Sequence, residues 1–306
     1  MERKDKDMEI IGIDHGFGNM KTRNTVFKSG VKVFDEEPTF GTEILQYKDK
    51  FYLIGEEHKT FIAQKDEDED YYILTLTALA KELKERGKNE AQVILAVGLP
   101  ISWLKTQKES FKQYLMKETV VEFKFKNEPY RVRINDVLVF PQGYAGVSGN
   151  MTQFEGTNIL ADIGNGTMNT VFINNHKPRA DKYYTDKLGV NQCVIQIRNS
   201  LLAECGSVPD DELIEQFLIT GTANISDKYL KIMREEAYKY VKTIFDKLSE
   251  YEYNPELVKL YFIGGGGCLI KNFGEYDPER VEIISDICAT AKGYESLARA
   301  IMLKKA

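Results

Sequence analysis

One short pattern occurs twice in the chain, with the same five residue types at the same spacing. The two copies are Asp14, Gly16, Gly18, Met20 and Thr22, and Asp162, Gly164, Gly166, Met168 and Thr170. Two unrelated hairpins have no reason to share five residues in register. The repeat, offset by 148 residues, therefore indicates a duplicated half-domain.

The residues on both sides of each copy favour strands. The apolar runs before the glycines are Glu9–Ile13 and Thr157–Ala161, and the runs expected to return after them are Asn24–Phe27 and Asn169–Ile173. Each copy is therefore predicted to form a strand, a glycine-rich turn and a second strand.

The composition of the two turns suits a phosphate and a metal ion. Glycines two residues apart let the backbone approach a ligand with its N–H groups exposed, which suits phosphate oxygens. The aspartate at the strand end suits a hard cation such as Mg²⁺. Either turn alone could be an ordinary hairpin with glycines at positive φ, whereas two such turns facing each other would bind a Mg²⁺-nucleotide.

Length and composition indicate a folded protein of two domains. A chain of 306 residues predicts two domains of about 150 residues each, in agreement with the offset of the repeat. The hydrophobic content of 42% and charged content of 29% are ordinary for a globular protein. The mixed-charge segment Met1–Glu9 lacks the apolar region of a signal peptide, and no run reaches the ~20 apolar residues of a membrane span. These features predict a cytoplasmic protein.

Charge and motif content exclude several function classes. The net charge of −6 should repel nucleic acid, so any link to DNA would need an adaptor protein. The densest charge block, Asp66–Asp70, is interpreted as a solvated loop before a helix. The sequence has no Walker A pattern, no Cys-x-x-Cys pair and no visible Ser/His/Asp arrangement, which argues against a P-loop, a zinc site and a triad hydrolase.

Periodicity along the chain predicts alternating strands and helices. The predicted helices are Tyr71–Arg86, Trp103–Met116, Gln142–Gly149, Val190–Glu204, Pro209–Leu218, Asp227–Tyr251 and Ile287–Leu303. The other predicted strands are Glu43–Tyr47, Lys50–Ile54, Gln92–Val97, Val120–Phe125, Tyr130–Ile134, Val137–Phe140 and Leu257–Ile263. This order predicts an α/β protein in which helices pack on a twisted sheet in each half, with a hinge near Asn150–Gly156.

Two polar residues are candidates for work on a phosphate. Lys21 begins the segment that leaves the first turn, where its charge could point back at bound phosphates or could simply be solvated. Gln142 follows a buried strand at the edge where open α/β sheets bind ligands. An amide there can orient an attacking water, although Gln142 could also only begin a helix.

The run Gly264–Gly267 follows an apolar strand. Each structured glycine costs roughly 0.5–1 kcal/mol relative to alanine, so four in succession indicate that something approaches the backbone closely. A nucleotide base or ribose is the leading candidate, and a loose turn is the alternative.

Five segments in order resemble the five motifs of the actin, sugar kinase and heat-shock chaperone ATPase superfamily. They are similar to phosphate 1, connect 1, phosphate 2, adenosine and connect 2, and they are Ile11–Thr22, Val139–Val147, Ile159–Val171, Leu260–Ile270 and Asp286–Ala300. The resemblance covers essentially the whole chain. Within the superfamily, Gly98–Ser102 and the small size look most like the bacterial plasmid-segregation actins of the ParM type.

The resemblance implies a fold and a set of site residues. It implies a duplicated actin-like (ribonuclease H-like) fold of two lobes with a nucleotide cleft between them. The first lobe would be residues 1–155, with a C-terminal helix 286–306 packing back on it, and the second lobe would be residues 156–285. Asp14 and Asp162 would bind Mg²⁺ and act in catalysis together with Gln142, which would orient a water. The residues expected to contact the nucleotide are Gly16, Gly18, Lys21, Gly164, Gly166, Thr167, Gly264, Gly265 and Gly266.

The resemblance also implies a function. The chain would be an NTPase that polymerises with Mg²⁺ and ATP, or GTP, and hydrolyses the nucleotide. Its filaments would segregate plasmid DNA through an adaptor protein. Its main partner would be further copies of itself, and it would have no membrane partner. The alternatives are a small-molecule kinase or phosphatase of the same fold, for which no catalytic carboxylate facing a sugar-sized pocket can be named, and a non-catalytic scaffold or membrane-linked interaction protein.

Overall fold

A computed structural model of the chain describes residues 8–56 and 69–305. The segment 1–7, the stretch 57–68 and residue 306 lie outside the described residues, and so do the parts of the predictions that fall on them. Of the acidic run Asp66–Asp70, the last two residues are described, and they form the acidic first turn of a helix rather than a loop.

Contacts within the chain divide it into two compact units. Unit 1 comprises Met1–Gly149 and Cys288–Ala306, and unit 2 comprises Asn150–Ile287. Each unit has its own sheet and hydrophobic core.

Unit 1 contains a nine-stranded sheet in the order β3-β2-β1-β7-β9-β8-β5-β6-β4. The strands are β1 Met8–His15, β2 Asn19–Lys21, β3 Val26–Lys28, β4 Val31–Phe34, β5 Ile44–Tyr47, β6 Lys50–Ile54, β7 Glu90–Leu99, β8 Val120–Phe125 and β9 Glu128–Pro141. Strand β7 is parallel to both β1 and β9, and the remaining neighbours are antiparallel. The run Val93–Leu99 of β7 is buried throughout, as expected for a parallel strand covered on both faces.

Helices cover both faces of this sheet. They are α1 Glu69–Glu85, α2 Ile101–Leu115 and α7 Ala289–Lys305, and a 3₁₀ helix spans Tyr144–Gln153. Alternate strand residues point to opposite faces, so Ile11 lies in the core with α1 while Ile10 lies in the core with α7. The backbone of α7 comes so close to β1 that a Cβ atom at Gly12 would lie 2.0 Å from the Ala291 carbonyl oxygen.

Unit 2 contains a five-stranded sheet in the order β12-β11-β10-β13-β14. Its strands are β10 Thr157–Ile163, β11 Met168–Asn174, β12 Lys177–Asp186, β13 Lys259–Ile263 and β14 Val281–Ile283. Its helices are α3 Val190–Cys205, α4 Asp211–Thr220, α5 Asp227–Glu250 and α6 Gly267–Phe273. Side chains of the four helices pack with Ile159, Ala161 and Ile163 of β10 in one core.

The sequence repeat corresponds to a repeated arrangement of strands. The order β3-β2-β1-β7-β9 in unit 1 has the same strand directions as β12-β11-β10-β13-β14 in unit 2. Asp14 pairs with Lys21 in the first hairpin, and Asp162 pairs with Asn169 in the second, at the same offset of 148 residues. The predicted α/β fold class is confirmed.

Most predicted helices end within two residues of the observed ends, but several strand predictions are wrong. The strand that returns from the first turn is β2, Asn19–Lys21, whereas the predicted Asn24–Phe27 overlaps the third strand of the sheet. The predicted strands Tyr130–Ile134 and Val137–Phe140 are one strand, β9, whose pairing with β7 shifts register beside Val93. Strands β4, β12 and β14 and helix α6 were not predicted.

Candidate functional site

The first glycine-rich turn brings three predicted site residues together in unit 1. The Lys21 Nζ atom lies 3.3 Å from the Asp14 Oδ2 atom, and the Gln142 Nε2 atom donates a hydrogen bond of 3.3 Å to Asp14 Oδ1. The backbone N–H of Gln142 donates to the Leu99 carbonyl, which fixes it at the end of β7. The contact arises because the carboxyl ends of parallel strands meet at one edge of a sheet.

The backbone of this turn is tight. The Gly16 N–H donates to the carbonyl of Asp14 at 3.1 Å, and a Cβ atom at Gly16 would lie 2.4 Å from the carbonyl oxygen of Asn19. Only glycine fits at this position, so the protein's own backbone requires the glycine of the motif.

The second turn has the same position in unit 2. Asp162 is the last residue of β10 that pairs with β13, and it is buried. The Gly164 N–H donates to the Thr167 carbonyl at 2.9 Å. The start of α3 packs on this turn, and a Cβ atom at Gly189 would lie 2.2 Å from the Asn165 carbonyl oxygen. The hydroxyl of Tyr240 donates to the Gly189 carbonyl at 2.7 Å, and burial raises the pKa of that phenol, so it remains a donor.

The glycine run after β13 contacts the end of β10, directly before the second turn. Gly264 has a φ of +90°, and a Cβ atom there would lie 2.6 Å from Asp162 Oδ1, while a Cβ atom at Gly266 would lie 2.2 Å from Ile163 Cγ2. The close approach that the sequence indicated is therefore made, at these two glycines, by β10 itself. A Cβ atom at Gly265 would have nothing within 4 Å, so Gly265 faces open space.

The two turns differ in charge. The residue that pairs with the aspartate across the hairpin is a lysine, Lys21, in unit 1 and an amide, Asn169, in unit 2. The Asn169 Oδ1 atom accepts hydrogen bonds from Tyr183 and Thr185 of β12. The first hairpin therefore places a cation beside its aspartate, and a cation is suited to bind phosphate. The second hairpin has a neutral amide in the matching position.

Residues 12–144, which contain the first turn and Gln142, match the family model described as the N-terminal domain of actin-like proteins. A search of curated protein sequences finds no match.

Solved structures show that the actin-like fold extends over at least 95% of the chain. A filament structure of Alp12 is 17% identical with a TM-score of 0.68, covering 97% of this chain and 100% of the other. The archaeal actin homologue Ta0583 in complex with ADP is 19% identical with a TM-score of 0.74 (95% and 99%). ParM of Bacillus thuringiensis with ATP is 14% identical with a TM-score of 0.70 (97% and 100%). At these identities the likeness establishes the fold.

Sequence reasoning missed a buried charge network beside the first glycine-rich turn. Glu82 of α1 is fully buried and accepts hydrogen bonds from the hydroxyl of Thr22 at 2.7 Å and from both the N–H and the amide of Asn24. The guanidinium of Arg86 donates to Glu82, to Glu295 of α7 and to Glu9 of β1. This network connects the segment that follows Lys21 to α1 and α7.

The sequence signal for this network is the threonine that recurs in the repeated motif. In the structure, Thr22 and its counterpart Thr170 are both fully buried. The rest depends on contacts between residues far apart in the chain. Burial opposes the charge of Arg86, but its hydrogen bond to Glu9 and the charges of Glu295 and Glu82 outweigh burial and raise the pKa of the guanidinium.

The actin-like units present few protein ligands for a metal. Across residues 8–56 and 69–305, no three His, Cys, Asp or Glu side chains cluster closely enough to hold an ion. Mg²⁺ usually takes one or two carboxylates together with waters and substrate phosphates, so single aspartates such as Asp14 and Asp162 fit its needs. Within the same described ranges, no helix has the length and apolar character needed to cross a membrane.

Proposed function

We propose that this chain is a filament-forming actin-like NTPase. It would bind Mg²⁺-ATP, or Mg²⁺-GTP, at its two glycine-rich turns, polymerise with it and hydrolyse it. The observation that carries the proposal is the pair of matching hairpins, each with a buried aspartate one residue before the end of its first strand and in the same cross-strand register. A nucleoside triphosphate with its metal ion offers enough phosphate oxygens and charge to engage both turns.

The residues around the first turn suit phosphoryl chemistry. Because the Nε2 atom of Gln142 donates to Asp14, its Oε1 atom is the acceptor that can orient a water. Lys21 would contact phosphate oxygens, and Asp14 and Asp162 would bind Mg²⁺ through its waters. Bound Mg²⁺ would neutralise the negative charge that develops on the phosphate oxygens.

The backbone of the turns would complete the nucleotide site. Its proposed phosphate-binding members are Gly16, Gly18, Gly164, Gly166 and Thr167, and its proposed base-binding members are Gly264, Gly265 and Gly266. Of the last three, Gly265 has the open space that an approaching ligand requires.

Self-assembly is supported by the structural relatives. One of the similar structures is a filament, one holds ATP and one holds ADP. The net charge of −6 disfavours direct contact with DNA, so a role in plasmid segregation in the cytoplasm would need an adaptor protein between filament and DNA.

Sedimentation tests this proposal. Purified protein with Mg²⁺ is centrifuged with ATP, GTP, ADP or no nucleotide, and the pellets are viewed by negative-stain electron microscopy. We expect filaments in the pellet with ATP or GTP and none without nucleotide. Production of ADP that depends on an added small-molecule acceptor, with the phosphoryl group recovered on that acceptor and no pellet at any protein concentration, would support the kinase alternative instead.

A further inference from the structure

Ser29 follows β3 in unit 1, is fully buried, and contacts the first glycine-rich turn twice. Its backbone N–H donates to the Gly18 carbonyl at 3.1 Å, and its hydroxyl donates to the Phe17 carbonyl. The two acceptors belong to consecutive peptides of the turn. A single residue outside the hairpin loop thus fixes two of its peptide planes.

The direction of a carbonyl determines the direction of the next N–H group. In a planar trans peptide the C=O and the N–H point in opposite directions. Because the Phe17 carbonyl points to Ser29, the Gly18 N–H points away from Ser29. The Gly18 carbonyl also points to Ser29, so the Asn19 N–H points away from it as well. Two successive N–H groups on one side of a turn form a concave site for an anion.

The second turn orients the equivalent peptide by a different route. Asn165 lies 148 residues after Phe17, and its carbonyl accepts the backbone N–H of Asn191 at 2.9 Å. That N–H belongs to the first turn of α3, whose N–H groups lack partners within the helix. The same carbonyl is therefore hydrogen-bonded in both units, by a helix backbone in unit 2 and by a side chain in unit 1.

The Ser29 hydroxyl helps to hold the first turn in its observed conformation. The side chain of Phe17 packs against the core of unit 1, which fixes the position of that residue. Because Ser29 is fully buried, removing its hydroxyl would leave the Phe17 carbonyl without this donor, at a place where water does not readily replace it. The orientation of the peptide between Phe17 and Gly18 would then be less well determined.

We propose that Ser29 is a positioning residue for phosphate recognition, which orients the N–H groups of Gly18 and Asn19 toward the phosphates of a nucleoside di- or triphosphate. This inference rests on the proposed nucleotide-binding function. It assigns to a side chain in unit 1 the task that the start of α3 performs in unit 2.

The test is the affinity of the Ser29→Ala variant for ATP, ADP and adenosine, measured by calorimetry with Mg²⁺. Ser29→Ala removes the hydroxyl and keeps the N–H bond to Gly18. We expect the affinities for ATP and ADP to fall about fivefold to tenfold, and the affinity for adenosine, which has no phosphate, to stay unchanged.

The matched control is Thr77→Val. It also removes a fully buried hydroxyl of unit 1 that donates to a backbone carbonyl, that of Ile73 at 3.0 Å, but within α1. We expect the ratio of ATP to adenosine affinity to match the parent. If Ser29→Ala unfolds, Ser29→Cys keeps the volume with a weak donor and should lower the same ratio.

An unchanged ATP-to-adenosine affinity ratio in Ser29→Ala would overturn the inference alone. This holds if neither affinity changes, and also if both fall by the same factor, which would mean a general effect on the fold. A parent protein that binds neither ATP nor GTP would overturn the proposed function and the inference with it. The two failures are therefore distinguishable.

Discussion

The ammonium group of Lys21 lies 3.3 Å from the carboxylate of Asp14 across the first hairpin, whereas Asn169 occupies the matching place opposite Asp162 in the second. Lys21 is mostly buried, so its charge is directed at the turn rather than dispersed in solvent. The two hairpins share a backbone plan but differ in charge, and phosphate recognition should depend more on the side chain of the first.

Lys21→Asn gives the first hairpin the same cross-strand pair as the second. Because a hydrogen bond to a charged group contributes about 1.5–3 kcal/mol, we expect the affinity for ATP to fall about 10- to 100-fold, measured by calorimetry. The control Lys124→Asn removes an exposed lysine of β8 in the same unit and should bind ATP like the parent. Equal affinities of the parent and Lys21→Asn would refute the assigned role.

Asp162→Ala should remove hydrolysis and keep the fold. Loss of a group that stabilises the transition state typically slows turnover by at least about 100-fold, so phosphate release should fall by that factor or more, with circular dichroism and the melting temperature close to those of the parent. Asp181→Ala, an exposed aspartate of unit 2 paired with Arg179, serves as the control. Turnover at the parent rate in Asp162→Ala would show that the site assignment is wrong.

Gly264→Ala and Gly265→Ala should differ sharply in stability. Gly264 has a φ of +90° and no room for a methyl group beside Asp162, whereas Gly265 has open space. The strained backbone alone should cost Gly264→Ala about 1–3 kcal/mol, measured by urea unfolding, and Gly265→Ala should unfold like the parent. If both variants were equally stable, β10 would not be what requires glycine at Gly264.

Arg86→Ala should be among the most destabilising substitutions in unit 1. It would leave Glu82 and Glu295, both almost fully buried, without the cation they share, and breaking a buried ion pair costs about 3–5 kcal/mol. The control Arg131→Ala breaks an exposed pair with Glu122, which is worth about 1 kcal/mol or less. Urea unfolding of both variants measures the difference, and similar losses would argue against a buried network.

Acid should weaken the fold through Glu43. Burial alone would raise the pKa of its carboxyl, but hydrogen bonds and charges from Lys126 and Lys81 outweigh burial and lower the pKa below the ordinary value of 4.5. A group with a lower pKa in the folded state stabilises the fold above its unfolded pKa, and that contribution is lost as the pH falls through the folded value.

The free energy of unfolding should therefore decrease as the pH falls below about 5, and Glu43→Gln should show a smaller decrease. Urea unfolding at a series of pH values measures both slopes. Identical slopes in the parent and Glu43→Gln would show that Glu43 does not contribute.

The sequence predicts the parts of the fold that depend on local pattern. Helices such as α5 have strong 3.6-residue periodicity and are found almost to the residue. The meeting of Gln142 with Asp14 is predictable in outline, because both were placed at the ends of buried strands. The first returning strand was missed because Asn19–Lys21 contains one apolar residue, Met20, and offers no alternation.

Long-range contacts escape such patterns. Arg86 and Glu295 form an ion pair across 209 residues of sequence, and nothing in the periodicity of α1 or α7 indicates it. Helix α6 was missed because its N-cap, Gly266, and its first residue, Gly267, are glycines, which disfavour helices. Ser29 has no local signal either, since its role depends on which carbonyls the fold brings to it.

The most direct measurement of the central claim is right-angle light scattering recorded together with phosphate release, on purified protein with Mg²⁺ and ATP or GTP. A nucleotide-triggered rise in scattering, followed by phosphate release and a decline, is the predicted result, and Asp162→Ala should release phosphate at least about 100-fold more slowly. Phosphate release with flat scattering at every protein concentration would contradict a filament-forming NTPase.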